Sequence, residues 1–275
     1  KDLETGKARG LYWDIDAVKH ALAFFSEVLC LNGGEFEGKP FETLGWQCFV
    51  IGSLFGWKTE DGHRRFRVGY VETAKGSGKS PLAAGIGMFG MVADGEARAE
   101  IYAAATKKDQ AMVLFRDAVA MWQLSPELRK RLKTSGTGEN VWNLAYIEKG
   151  AFFRPISADD GQSGPRPHIA LIDEVHEHKN NTVVEMMRAG TKSRRQALIF
   201  MITNSGSSKT STCWGYHDYG SKVAAGVLED DTFFAYICAL DEGEDPLRSE
   251  KCWKKANPSL QEADLPGMKY LREQV

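Results

Sequence analysis

Eight consecutive residues constrain this chain more than any other stretch: Thr73-Ala74-Lys75-Gly76-Ser77-Gly78-Lys79-Ser80. They follow residues 66–72, whose apolar alternation reads as a strand. They precede residues 81–92, which read as a helix with Pro81 in its first turn, where a missing N–H costs nothing. In that setting Gly76 and Gly78 let the backbone curl until successive N–H groups face phosphate oxygens, and the helix N-terminus adds positive potential. The phosphate-loop pattern G-x-x-x-x-G-K-[ST] is met everywhere but at its first position, where Thr73 stands. The cradle is therefore Thr73, Ala74, Lys75, Gly76, Ser77, Gly78, Lys79 and Ser80, with Lys79 reaching the β- and γ-phosphates and the Ser80 hydroxyl ligating Mg²⁺. The bland alternative, a glycine-rich turn with a solvated lysine, is disfavoured by the strand–helix context.

A nucleotide hydrolase also needs a carboxylate that positions the metal and a group that orients the attacking water. Ile169-Ala170-Leu171-Ile172-Asp173-Glu174 supplies both. Four apolar residues make a buried strand, and the two acids emerge at its C-terminal edge, where ligands bind in open α/β sheets. Asp173 is expected to hold Mg²⁺ and Glu174 to polarise water for attack on the γ-phosphate. Asp-Glu alone would read as a solvated strand end, but together with the loop it signals an ATPase with ATP and Mg²⁺ as its ligands. The expectation is that Lys79 and the acids converge around one Mg·ATP on neighbouring strands.

The rest of the chain alternates between helix and strand. Residues 17–30 and 44–57 read as amphipathic helices, residues 98–105 as a strand, and Thr106 as the cap of the next helix with Asp109 three residues on. Ser125-Pro126 opens a short helix, residues 141–156 form a hairpin turning at Glu148-Lys149-Gly150, and residues 168–172, 197–203 and 232–240 are further strands. Strands separated by helices imply an α/β fold with a mainly parallel sheet covered on both faces. The expected division is an N-terminal helical, adenine-side segment (1–65), an ATPase core (66–245) and a C-terminal linker (246–275).

Composition narrows the partners. With 35 Lys+Arg against 37 Asp+Glu, the formal net charge is −2, so a polyanion would have to be gripped by local basic patches. Hydrophobic residues make up 43% of the 275, which fits a globular chain, and no apolar run reaches the ~18–20 residues that span a bilayer, so no membrane association is expected. Five scattered cysteines read as buried, reduced thiols of a cytosolic compartment. Both ends look cut: the first residue is Lys1, and the last nine residues stop within a helical stretch.

With these pieces in order, the chain resembles the large terminase subunit of tailed double-stranded DNA bacteriophages, an ATP-driven DNA-packaging motor. The resemblance runs from about Phe41 onward, through Leu44-Gly45-Trp46-Gln47, Leu54-Phe55-Gly56-Trp57, Arg64-Arg65-Phe66-Arg67, the phosphate loop, Ala104-Ala105-Thr106-Lys107-Lys108-Asp109-Gln110-Ala111, Ile172-Asp173-Glu174-Val175-His176-Glu177, Thr203-Asn204-Ser205-Gly206 and Ala256-Asn257-Pro258. It implies a RecA-like P-loop NTPase fold of the ASCE type with an N-terminal helical segment. It also implies that Lys75 contacts phosphate beside Lys79, in a place where the family usually has Arg, and that Gln47 reads the adenine base. Thr203-Asn204 matches the family's coupling motif, usually Thr-Thr, which relays hydrolysis to DNA movement. Implied partners are double-stranded DNA, a portal protein and a small terminase subunit, at the procapsid in the host cytoplasm. The resemblance further implies a homo-oligomeric ring as the assembled form, with a monomer as the isolated state, and an arginine from a neighbouring subunit completing the site, with Arg154, Arg166, Arg194 and Arg195 as candidates. The family's metal-dependent nuclease would follow the last residue, so ATPase activity without DNA cleavage is expected from this polypeptide.

Competing readings remain at this stage. Asp173-Glu174-Val175-His176 also spells the D-E-x-H box of superfamily-two helicases, although only one phosphate-loop unit is visible. A small-molecule kinase would not need Glu174, and a degenerate nucleotide-binding module would not keep Lys79, Ser80, Asp173 and Glu174 together. His176 and His178, two apart, read as solvated loop histidines in preference to a metal cluster. The basic patches Arg129-Lys130-Arg131 with Lys133, and Lys192 with Arg194-Arg195, read as solvated faces.

Overall fold

The computed structural model describes residues 2–157 and 164–275. A short helix α1 (Asp2–Thr5) leads into strand β1 (Leu11–Trp13), helices α2 (Ile15–Val28) and α3 (Gly45–Gly56), and strand β2 (Trp57–Thr59). There follow β3 (Val68–Glu72), α4 (Lys79–Val92), β4 (Glu100–Ala105), α5 (Lys108–Leu124), α6 (Pro126–Arg131), β5 (Lys133–Ser135), β6 (Asn143–Tyr146), β7 (Ala151–Ser157) and β8 (Ile169–Ile172). The chain continues through α7 (Thr182–Gly190), β9 (Leu198–Thr203), α8 (Thr212–Ala224), β10 (Phe233–Ile237) and three short helices, α9 (Trp253–Ala256), α10 (Leu260–Ala263) and α11 (Met268–Gln274).

Eight strands form the central sheet in the order β10-β3-β9-β8-β4-β7-β6-β5. The six from β10 to β7 are parallel, and β6 and β5 add an antiparallel edge. Parallel strands covered on both faces need apolar residues at every position, and β3, β8 and β9 are buried throughout. Their side chains alternate between two cores. Val71, Ile169, Leu171, Leu198, Phe200 and Ile202 face one core, shared with α2, α3, α4 and α5. Val68, Tyr70, Ala170, Ile172, Ile199 and Met201 face the other, shared with α7 and α8. This is a mostly parallel, doubly covered P-loop sheet of the RecA-like ASCE type.

Several local readings hold to within a residue or two. The hairpin β6–β7 turns through Glu148 and Lys149 to a left-handed Gly150, and the Ser125 hydroxyl caps α6 by accepting the Leu128 N–H. Others differ for physical reasons. Helix α3 is not amphipathic: it is buried nearly all round, because the sheet, α2 and the C-terminal segment enclose it. Lys107, not Thr106, occupies the cap position of α5, and no side chain caps that end. The β1–β2 ribbon and β5 are three-residue strands too short to leave a period in the sequence. All five cysteines are unpaired, but only Cys213 and Cys252 are buried, the other three being half-buried. No helix among the described residues is long and apolar enough to cross a membrane.

Helix α4 carries the phosphate loop's C-terminal end, so its seating matters to the site. Glycines on α4 allow that seating: a Cβ at Gly85 would lie 2.5 Å from the ring of buried Phe25 on α2 and 3.1 Å from buried Leu29 just after it. Gly85→Ala is therefore expected to destabilise the protein by about 1–3 kcal/mol through overpacking, although alanine gains ~1 kcal/mol in helix propensity. Urea unfolding of the two proteins decides it. A midpoint raised by the alanine would show that α2 does not press on α4 as closely as described.

Candidate nucleotide-binding site

The loop between β3 and α4 has the backbone a phosphate cradle requires. Gly76 and Gly78 adopt φ of +85° and +84°, a region L side chains rarely enter. Gly78 is the N-cap of α4, so Lys79 and Ser80 open the helix at its positive end. The loop is braced from inside: the Ser77 hydroxyl donates to the Ala74 carbonyl at 2.9 Å, and the Thr73 N–H donates to the Thr203 carbonyl at 3.2 Å. Thr73 and Ser77 are buried, while Lys75 stands exposed on the crest.

Lys79 is only 7% exposed. Its ammonium donates to the carbonyls of Thr73 and Ala74, both at 2.9 Å, and to Asn204 Oδ1 at 2.8 Å. Asn204 in turn directs its amide toward Glu174 Oε2 at 3.5 Å. The acids and the lysine thus meet, but not on neighbouring strands: β9 lies between β3 and β8 and inserts Thr203 and Asn204 between them. Register explains the meeting. Glu72 pairs with Thr203, so β3 and β9 release their loops at one level, and Ile172 pairs with Met201, so β8 ends two residues earlier and leads with Asp173 and Glu174 toward that level.

Charges in the site are out of their ordinary range. Burial pulls the Lys79 ammonium down to about 8, against the pull of Glu174, Asp173 and Glu72. Burial and then the adjacent Glu174 push the Asp173 carboxyl up to about 7, although its Oδ1 accepts the Glu174 N–H at 2.8 Å. Two acids side by side, one of them 8% exposed, form an environment that a divalent cation would relieve. Asp173, with Ser80 at the start of α4, offers the hard oxygen ligands that Mg²⁺ prefers. Glu174 has φ +48°, strained for a non-glycine residue.

The walls of the site come from the two ends of the chain. Gln47 is buried, not exposed, with Oε1 accepting the Leu44 N–H at 3.0 Å and Nε2 directed at Gly78, 3.4 Å from where a Cβ there would sit. Opposite, the segment expected as a linker folds back onto the loop. Ala256 O accepts the Ala74 N–H at 2.9 Å, the Ser259 hydroxyl donates to Ser77 O at 2.8 Å, and Pro266 packs on Gly76. Trp46 Nε1 donates to Ser259 Oγ at 2.8 Å, joining both walls.

The comparisons with known proteins fall on this same region. A profile of the family described as "Terminase large subunit, ATPase domain" matches residues 45–222. The chain belongs to that family. Among solved structures it resembles the HK97 bacteriophage large terminase, with a TM-score of 0.77 at 17% identity over 94% of this chain and 50% of that one. It also resembles the ATPase domain of the Thermus phage P74-26 large terminase, with a TM-score of 0.53 at 16% identity over 82% of this chain and 88% of that one. At these identities the likeness is one of fold. Protein YmfN of Escherichia coli (strain K12) is 32% identical over 97 residues, which are 35% of this chain and 21% of YmfN. The chain thus spans about half the length of the HK97 terminase and a fifth of YmfN.

Within this terminase ATPase domain, several side chains stand differently from the sequence reading. His178 is buried and His176 half-buried, so neither is a freely solvated loop histidine. His176 Nδ1 lies 3.1 Å from Glu174 Oε2 and 3.2 Å from Thr203 Oγ1, and His178 is buried with Nε2 3.1 Å from the Asp173 carbonyl. Arg194 is committed within its own chain, donating to Glu96, to the carbonyls of Ala97 and Arg98, and to that of Arg166. Arg154 lies over Tyr102 and Phe152, while Arg166 keeps its side chain 70% exposed and Arg195 is exposed. Arg166, Arg194 and Arg195 precede β8 and β9, at the sheet edge opposite the loop. On α6, Lys130 and Arg131 both pair with Glu127, a solvated face as expected. The sequence assigns no role to Glu72, Ser205 and His217, which meet at the Glu72 carboxylate, because a carboxylate ending a strand and a serine in a polar loop carry no spacing signal.

Because Asp173 titrates well above its unfolded value, the folded protein holds more protons than the unfolded one between pH 3.8 and about 7, and stability falls as pH rises across that window. Asp173→Asn is expected to stabilise the nucleotide-free protein at pH 8 on the order of 1–3 kcal/mol. The gain should shrink as pH falls and vanish by pH ~3, below both pKa values, where Asp173 is neutral folded and unfolded. Denaturant titrations at the two pH values check it, and a gain independent of pH would refute the charge argument.

Proposed function

We propose that this chain binds ATP with Mg²⁺ at loop 73–80 and hydrolyses it to drive double-stranded DNA into a viral procapsid. The observation that carries the reading is the linkage from buried Lys79 through Asn204 to Glu174 at the C-terminal edge of a parallel sheet. Membership of the terminase ATPase family supports the ATP-driven part directly and the packaging role by family relation.

Each residue's part follows from where it stands. Phosphate oxygens would replace the carbonyls of Thr73 and Ala74 as acceptors for Lys79, while the N–H groups of residues 76–80 hold the β-phosphate. Lys75, exposed on the crest, can close on the phosphates as a second cation, without the bidentate fork of an arginine. Mg²⁺ held by Asp173 and Ser80 would neutralise charge on the β- and γ-phosphates. Glu174 takes the proton of the attacking water, and its strained backbone keeps the carboxylate at the mouth of the site. His176 and Asn204 fix the direction of that carboxylate from two sides. Thr203 and Asn204, set between lysine and base, sense the γ-phosphate and couple its loss to movement. Gln47 Nε2 is free to read the adenine edge, since its oxygen is occupied by Leu44. The segments 1–65 and 246–275 then serve as the two walls of the nucleotide site around the 66–245 core.

Duplex DNA would be held through phosphates, with little base preference and a steep dependence on salt. Assembly would be a ring on the portal protein with the small subunit, in the host cytoplasm, with Arg166 and Arg195 the exposed arginines that could reach a neighbour. Phosphate-release assays test the core of the proposal. Lys79→Ala should abolish turnover, and Glu174→Gln should lower it by about 10²–10⁴-fold while ATP still binds. ATP binding and turnover that survive Lys79→Ala would overturn the assignment.

A further inference from the structure

Glu72 ends β3 one residue before the phosphate loop, and its side chain is 2% exposed. A carboxylate so placed is costly unless donors surround it. Three do: the Tyr70 hydroxyl and the Ser205 hydroxyl, each at 2.7 Å, and His217 Nδ1 at 2.9 Å. Its main chain is held as well, with the Glu72 carbonyl accepting the Cys238 N–H at 2.8 Å. One residue therefore ties β3 and the loop to the segment after β9, to helix α8 and to the end of β10.

These ties are arranged in series with the nucleotide site. Asn204, which accepts from Lys79, is followed by Ser205, which donates to Glu72. Glu72 accepts from His217, whose ring stacks on Trp214 at 5.0 Å and 18°. Lys209, from the exposed segment before α8, lies over Trp214 at 5.3 Å. When phosphate oxygens claim Lys79, Asn204 loses its strongest donor, and the adjoining Ser205 is the next point where the chain is anchored. An apolar residue at position 72 would pack as well but could not hold three elements by directed bonds.

We propose that Glu72 is a positioning residue that locks the phosphate loop, the segment after β9 and helix α8 into one unit, so that nucleotide occupancy at Lys79 is transmitted to α8. The proposal rests on the nucleotide reading above and adds an output element to it: α8 and the Lys209 segment, on the face of the sheet away from α4, respond to a ligand they do not touch.

Hydrogen–deuterium exchange of the full chain with and without Mg²⁺ and a non-hydrolysable ATP analogue tests this. In the wild type, the analogue should change protection in peptides spanning both 73–80 and 212–224. In Glu72→Gln and His217→Phe, the response at 212–224 should be lost while that at 73–80 remains. His217→Asn, which returns a donor to the carboxylate, should restore it; a role in packing alone would favour the phenylalanine. Should Glu72→Gln fail to fold, the two His217 variants decide the matter by themselves. An unchanged α8 response in His217→Phe, or a wild-type α8 that ignores the analogue while 73–80 responds, overturns the proposal. No response at 73–80 in the wild type would instead strike at the nucleotide reading itself.

Discussion

The Lys79 ammonium, withdrawn from water at the head of α4, is the charge around which the rest of the site is organised. It is held by two loop carbonyls and one side-chain amide, none of which carries a full negative charge. The acids that could neutralise it stand one strand further away, across Asn204. Neither side is satisfied: burial draws the lysine down to about 8, and burial with a like-charged neighbour drives Asp173 up to about 7. A polyanion accompanied by a divalent cation would relieve both at once, which is the physical content of calling the place a nucleotide site.

That arrangement depends on the sheet. In a parallel sheet every strand releases its following loop on the same side, and the register ends β3 and β9 level with each other and β8 two residues earlier, so that three such loops leave one edge of the sheet. The strands alternate their side chains between two apolar cores, so a slip by one residue would drive each set into the opposite core, whose packing it does not fit. On one of those faces α4 is pressed against α2 where Gly85 leaves room for the Phe25 ring. The position of Lys79 is thus set by packing many residues away from any phosphate.

The two chain ends complete the same site. Trp46 and Gln47 on α3 and residues 256–266 near the C-terminus meet across the phosphate loop, joined through Ser259. Helix α3 is buried nearly all round for this reason, and a small satellite core around Cys252, Trp253 and Leu260 holds the returning segment. That segment is bonded directly to the loop backbone at Ala74 and Ser77.

Much of this was legible beforehand. The phosphate loop, the Asp173–Glu174 pair and the alternation of strands and helices follow from local chemistry: glycines where φ must be positive, a lysine and serine at a helix start, acids after a buried apolar run. The ordered set of short motifs carried the family resemblance, which the matching profile over residues 45–222 bears out. What could not be read is what depends on neighbours distant in sequence. That β9 separates the lysine from the acids, that Gln47 is buried against Gly78, that His176 turns to Glu174, that Arg194 is consumed internally, and that Glu72 gathers Ser205 and His217 are all outcomes of strand order and register. Spacing along a chain determines which groups can share a strand or a helical turn. Only the packed sheet decides which strands lie side by side, and hence which charges are brought together out of water.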